Sequence, residues 1–86
     1  MTKLFNLSIL TPDKTLYDSK ASSLVVPSEL GYMGVLADHA PLIANITKGR
    51  ITFSKENGEI TELNSSGEGF LEIIRNKVTL LLSQLE

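Results

Sequence analysis

Ile51-Thr52-Phe53-Ser54-Lys55-Glu56-Asn57-Gly58-Glu59-Ile60-Thr61-Glu62-Leu63 decides the fold class. β-Branched and aromatic residues run into an Asn-Gly pair and out again, the signature of two antiparallel strands joined by a short turn. Two registers compete. A two-residue Asn57-Gly58 turn would set Phe53 opposite Glu62 and Glu56 opposite Glu59, which places two like charges face to face. A three-residue Glu56-Asn57-Gly58 loop, with glycine in the left-handed position, sets Ile51 opposite Leu63 and Lys55 beside Glu59. The like-charge pair favours the second register.

Outward from this hairpin the same punctuation recurs. Phe5, Leu7 and Ile9 share one face of a first strand, which Thr11-Pro12-Asp13-Lys14 breaks, because proline fixes φ and lacks a ladder donor. Leu16 and Tyr17 start a short second strand, Ala21 to Val26 form a third, and Pro27 ends it. Ser28 to Gly34 then reads as a loop, Val35 and Leu36 resume the core, and Ala37-Asp38-His39-Ala40-Pro41 reads as a turn. Leu42, Ile43 and Ile46 return to burial. Beyond the hairpin, Ser65 to Gly69 reads as a loop, Phe70 to Ile74 as a strand, Arg75-Asn76-Lys77 as a tight turn and Val78 to Leu82 as the last strand. Residues 80–86 suit either a strand end or the first turn of a helix. The runs number roughly eight to ten, at the spacing of sandwiches and barrels. The expectation is one all-β domain over residues 1–86, an antiparallel sandwich or barrel.

Composition narrows function mainly by exclusion. A chain of 86 residues with 42% hydrophobic content supports one small core. No apolar run approaches the roughly 20 residues of a membrane-spanning helix, and Met1-Thr2-Lys3 leads straight into alternating Leu and Phe without an export signal. The absence of cysteine removes disulfides, thiolate metal sites and cysteine nucleophiles. A net charge of -2, with lysines and arginines scattered singly, gives no basic stripe for nucleic acid.

The sequence offers no convergent catalytic set. His39 is the only histidine and follows Asp38, but neighbours along a strand point to opposite faces, so a turn-stabilising or partner-contacting role is favoured over catalysis. Scattered carboxylates lack the spacing of a metal site. Gly67-Glu68-Gly69 lacks the lysine and helix of a phosphate loop, and Glu68 would repel the ligand. No catalytic residue, metal, cofactor or small-molecule ligand is expected. Leu30, Tyr32 and Met33 between Gly31 and Gly34 are different, since apolar and aromatic residues in a loop suggest protein contact. Two other readings compete. One is a carbohydrate- or peptide-binding sandwich using Tyr17, Tyr32 and Phe53, which burial of Phe53 would weaken. The other is a hydrolase using Asp38 and His39.

The segment Val25-Val26-Pro27-Ser28-Glu29-Leu30-Gly31-Tyr32-Met33-Gly34-Val35-Leu36-Ala37-Asp38-His39-Ala40-Pro41-Leu42 resembles the signature of the epsilon subunit of F-type ATP synthases. Ile9-Leu10-Thr11-Pro12, Gly49-Arg50, Gly69-Phe70-Leu71-Glu72 and Asn76-Lys77-Val78-Thr79-Leu80-Leu81 agree in order, so the resemblance runs from about Leu4 to Leu82. It implies a flattened sandwich of about ten strands that serves as a non-catalytic rotor part, gripping the gamma subunit and resting on the c-ring. Ser28, Glu29, Leu30, Gly31, Tyr32, Met33 and Gly34 match the segment facing the c-ring, with Tyr32 where many members carry an acidic residue. Thr11, His39 and Leu42 match positions on or near the gamma-facing side, and Ala37-Asp38 replaces the commoner Pro-Gly before the histidine. The resemblance further implies a peripheral subunit on the cytoplasmic face of a bacterial inner membrane, or the stromal face of a thylakoid. The family's C-terminal helical hairpin, which inhibits ATP hydrolysis and in some bacteria binds ATP, is expected to be missing, leaving coupling without that brake.

Overall fold

The computed structural model describes residues 3–84. Eight strands follow in chain order: β1 (Phe5–Leu10), β2 (Thr15–Ser28), β3 (Gly31–Val35), β4 (Leu42–Ile46), β5 (Gly49–Lys55), β6 (Ile60–Ser65), β7 (Gly69–Ile74) and β8 (Lys77–Leu82). The sheet runs β1-β8-β7-β4-β2-β5-β6, β3 pairs with β2, and β1 also pairs with β2. That last pairing closes the path into a barrel-like ring, which leaves β6 and β3 as appended edges. The all-β class holds, with eight strands among the described residues rather than ten. One pairing departs from the antiparallel expectation: β1 and β8 are parallel, with Asn6 beside Lys77 and Leu10 beside Leu81.

Period-two alternation explains the core. Phe5, Leu7 and Ile9 from β1 meet Leu71 and Ile73 from β7 and Val78, Leu80 and Leu82 from β8, all buried. Leu24, Val26, Val35, Ile46, Ile51 and Phe53 complete the same cluster. Each such side chain contributes about 1.5–3 kcal/mol by leaving water. Val35 joins the core, but Leu36 and Ile43, expected to do the same, are exposed: Leu36 lies just beyond the end of β3, and Ile43 is one residue out of phase with the inward set of β4.

The hairpin register is the expected three-residue one. Ile51 pairs with Leu63, the Lys55 amide donates to the Glu59 carbonyl at 2.8 Å and the Gly58 amide to the Lys55 carbonyl at 2.9 Å. Lys55 Nζ lies 3.3 Å from Glu59 Oε1, and Gly58 has φ 90°. The Thr11-Lys14 turn is closed by two backbone bonds. Arg75 and Asn76 alone form the β7–β8 turn, both at positive φ (48° and 59°), so Lys77 belongs to β8. Strand continues through Leu82, while Leu85 and Glu86, part of the stretch read as strand or helix, lie outside the described residues.

Two expected breaks are absent. The second and third strands are one strand, β2, of 14 residues. Its polar Asp18-Ser19-Lys20 stretch is a solvent-facing stretch paired with β1, where Ser8 Oγ donates to Asp18 Oδ1 at 3.0 Å. Pro27 does not end β2 either. It pairs with Tyr32, and the β2–β5 ladder has already stopped at Val25–Thr52, so no ladder donor is demanded of it.

Candidate functional site

Ser28 to Gly34 is therefore a projecting hairpin rather than a loop. Glu29 and Leu30 form its turn between Ser28 and Gly31. Ser28 Oγ donates to the Gly31 carbonyl at 2.6 Å, and Asn45 Nδ2 donates to Glu29 Oε1 at 2.9 Å. Leu30 stands at the apex, 101% exposed. Met33 packs against the core. Tyr32 remains 62% exposed, yet its Oη accepts the Arg50 backbone N–H at 3.1 Å. Between the hairpin and β4 lies a cleft of about 450 Å³ lined by Leu30, Met33, Ile43 and Asn45 among others.

The three residues expected to face the second partner are spread out. Thr11 sits in the β1–β2 turn, its amide donating to the Lys14 carbonyl at 2.9 Å. His39 lies beyond the other end of β1: its neighbour Asp38 bonds Asn76, and Asn76 accepts the Asn6 amide. The five-residue run of β1 between these ends spans about 17 Å at roughly 3.3 Å per residue. Leu42 pairs with Ile73 and packs against the core, so Ile43, 72% exposed, is the outward residue there.

The outer face of β8, β7 and β4 joins these positions, and it was missed as a surface. Leu10, Leu81, Phe70 and Asn45 form one cross-strand row, with Phe70 56% exposed. Leu10, Thr11, Pro12, Phe70 and Leu81 line a cleft of about 370 Å³; toward the His39 end Ile43 and Ile74 are exposed too, but Glu72 and Thr79, in the row with Ile43 between Phe70 and Ile74, break the apolar surface. The apolar part of this face is the Leu10-Leu81-Phe70 end, and exposed apolar side chains clustered there mark a candidate contact surface. The signal was in Phe70-Leu71-Glu72-Ile73-Ile74: with Leu71 and Ile73 in the core, Phe70 and Ile74 must face out.

Residues 4–86 match the family described as the ATP synthase delta/epsilon chain β-sandwich domain. The chain belongs to this family. It is 36% identical over 83 residues to the ATP synthase epsilon chain of Dichelobacter nodosus, covering 96% of this chain and 57% of that one. Against the epsilon chain of Natranaerobius thermophilus the identity is 34% over 84 residues, covering 98% and 60%. The chain thus spans less than two thirds of the length of these relatives. Its fold matches a chain in the OSCP/F1/c-ring structure of Euglena gracilis mitochondrial ATP synthase at a TM-score of 0.88 and 20% identity, covering 96% of this chain and 52% of that one. A chain in the Tetrahymena thermophila central stalk/c-ring structure matches at 0.78 and 12%, covering 94% and 64%.

In this family member the competing readings lose their footing. Phe53 is buried against Tyr17, ring centroids 4.8 Å apart, so it is no exposed platform. Asp38 does not orient His39. Its Oδ2 accepts Lys3 Nζ at 2.8 Å, its Oδ1 accepts Asn76 Nδ2 at 2.9 Å, and its own amide donates to Asn76 Oδ1. The Lys3 hydrogen bond first, then Asn76 and the Lys3 charge, hold the Asp38 carboxyl below its ordinary pKa. His39 Nδ1 lies 2.7 Å from the Ala40 carbonyl oxygen. Among the described residues no group of three or more His, Cys, Asp or Glu could hold a metal ion, and no helix is long and apolar enough to cross a membrane.

Proposed function

We propose that this domain is a non-catalytic part of the central rotor of an F-type ATP synthase, linking the gamma subunit to the c-ring so that ion flow is coupled to ATP synthesis. The observation that carries the reading is the family match across residues 4–86. The apolar cluster of Leu10, Phe70 and Leu81 beside Thr11 offers a protein-docking surface, which supports a gamma-facing side at Thr11; the family resemblance extends it to His39. The Ser28–Gly34 hairpin, with its bare Leu30, suits contact with the polar loops of the c-ring.

The task is mechanical. A connector transmits torque when its own deformation is small beside the displacement it passes on, and a closed ring of paired strands around a dry core provides that stiffness. Interfaces of standard size, about 800 Å² per partner, hold such a load without bond chemistry. On this reading the domain has no active site and needs no cofactor, and it sits as a peripheral subunit on the cytoplasmic face of a bacterial inner membrane or the stromal face of a thylakoid.

The test is co-expression with the cognate gamma subunit, purification through a tag on gamma, and measurement of co-purification and c-ring association. Wild-type chain should be retained, and Phe70→Asp should reduce retention at least tenfold by burying an unpaired charge in the apolar face. A folded wild-type chain that gamma does not retain overturns the assignment.

A further inference from the structure

We propose that Tyr32 is a positioning residue: it latches β3 to β5 across Pro27, so that the hairpin moves as one body with the barrel and carries Leu30 to the partner at its tip. The inference rests on the reading that this hairpin faces the c-ring.

The argument begins with a gap in the sheet. β2 and β5 pair as far as Val25 and Thr52, and β2 next pairs on that side at Ser28, with Ile46 of β4. Pro27 lies in the gap, its carbonyl accepting the Thr47 amide at 3.0 Å and its nitrogen carrying no hydrogen. Arg50, two residues before Thr52, sits where the β2–β5 ladder has ended, and its N–H finds its acceptor in Tyr32 Oη at 3.1 Å. A side chain from β3 thus bonds the β5 backbone over the intervening strand. Gly49 leaves the room for this: a Cβ there would lie 2.8 Å from Tyr32 Oη and 2.9 Å from Pro27 Cβ.

Without the latch, Thr47, Ile46 and Asn45 still tie Pro27, Ser28 and Glu29 to the barrel, while β3 keeps its pairing to β2 as an edge strand that twists readily. With it, motion of the barrel reaches Leu30 directly. Tyr32 accepts the Arg50 N–H through one lone pair of its hydroxyl; its O–H can still donate, so the bond fixes where the ring sits without barring contact. Leu30 stands fully exposed at the apex and gains apolar burial on docking.

The experiment compares wild type, Tyr32→Phe and Leu30→Asp by backbone NMR, amide hydrogen exchange and c-ring association. Tyr32→Phe keeps the ring and removes only the acceptor. It should move the Arg50 amide proton resonance upfield and speed Arg50 exchange roughly two- to tenfold, the worth of one neutral hydrogen bond, with Leu24 and Phe53 amides unchanged. Leu30→Asp should leave Arg50 unchanged and weaken c-ring association at least tenfold. When c-rings bind the wild type, Arg50 protection should persist. Unchanged Arg50 exchange in Tyr32→Phe overturns the latch, and so does loss of Arg50 protection on c-ring binding, since the hydroxyl would then have left for the partner. A chain that never associates with c-rings overturns the functional reading instead, while Arg50 exchange still decides the latch.

Discussion

Two hairpins of this barrel, β2–β3 and β5–β6, are closed by similar residues and held by different means. In each, an acidic residue opens the turn and a glycine with strongly positive φ ends it: Glu29-Leu30-Gly31, with Gly31 at 114°, and Glu56-Asn57-Gly58, with Gly58 at 90°. The β5–β6 turn is satisfied locally. Asn57 Oδ1 accepts the Glu59 amide at 2.9 Å, and the Lys55–Glu59 ion pair spans its base. The β2–β3 turn has one local bond, Ser28 Oγ to the Gly31 carbonyl, and otherwise depends on residues far away in sequence, with Asn45 bonding Glu29 and Tyr32 reaching Arg50. A hairpin that owes its shape to its own turn can be read from a short window of sequence. One that owes it to tertiary partners cannot.

Leu24 is the place to break both at once. It is fully buried, opposite Val35 of β3 and Phe53 of β5. Leu24→Ala should cost about 3–5 kcal/mol in a denaturant titration and loosen β3 and β5 amides together; loosening confined to one hairpin would show that the two do not share this support. Gly49→Ala separates them. Its methyl would press on Tyr32 Oη and the Pro27 ring at a φ of +156°, a combination of overpacking and backbone strain worth about 3 kcal/mol. It should deprotect β3, and Ser65 of β6 opposite Gly49, while sparing the β5–β6 turn. Gly58→Ala is the mirror test. No atom lies within 4 Å of its added Cβ, so only the left-handed backbone is penalised, by about 1–2 kcal/mol, and exchange should rise at the β5–β6 turn with β3 unmoved.

The same distinction sorts what was legible. The register of β5–β6 followed from one like-charge pair, and the inward set Phe5, Leu7 and Ile9 from alternation, because both are short-range. The length of β2 did not follow. Its polar middle and its proline look like breaks in one dimension, whereas in the folded chain the first is a solvent-facing stretch paired with β1 and the second fills a gap between ladders. Among the site residues, Leu30, Tyr32 and Met33 were readable together as apolar loop surface; Leu30 and Tyr32 are exposed, whereas Met33 packs against the core. The inward orientation of Leu42 and the outward one of Ile43 needed the phase of β4, which no local turn signal fixes. Tyr32 was readable as unusual, but its partner lies 18 residues away in sequence.

The smallest effect tests a third turn, which also borrows its shape. Asp38 has φ 64°, the conformation a glycine enters freely, and the family pattern commonly has glycine there. An aspartate tolerates it better than most residues, and here its side chain adds Lys3 and Asn76 as partners. Asp38 has its pKa lowered from 3.8, chiefly by the Lys3 hydrogen bond, and Lys3 has its pKa raised from 10.5, chiefly by the Asp38 hydrogen bond. A depressed carboxyl contributes stability above its unfolded pKa and loses it as pH falls through the lower folded value. A raised ammonium contributes below its unfolded pKa and loses it as pH climbs through the higher folded value. The clasp's contribution should therefore be full between pH 3.8 and pH 10.5 and fade outside that window. Both side chains are largely exposed, 78% and 55%, so its energy is small and screened by salt. Carboxyl-carbon NMR should find the Asp38 midpoint below 3.8, moving upward in Lys3→Ala. A midpoint that ignores Lys3 would mean that Asn76 alone holds the turn before His39.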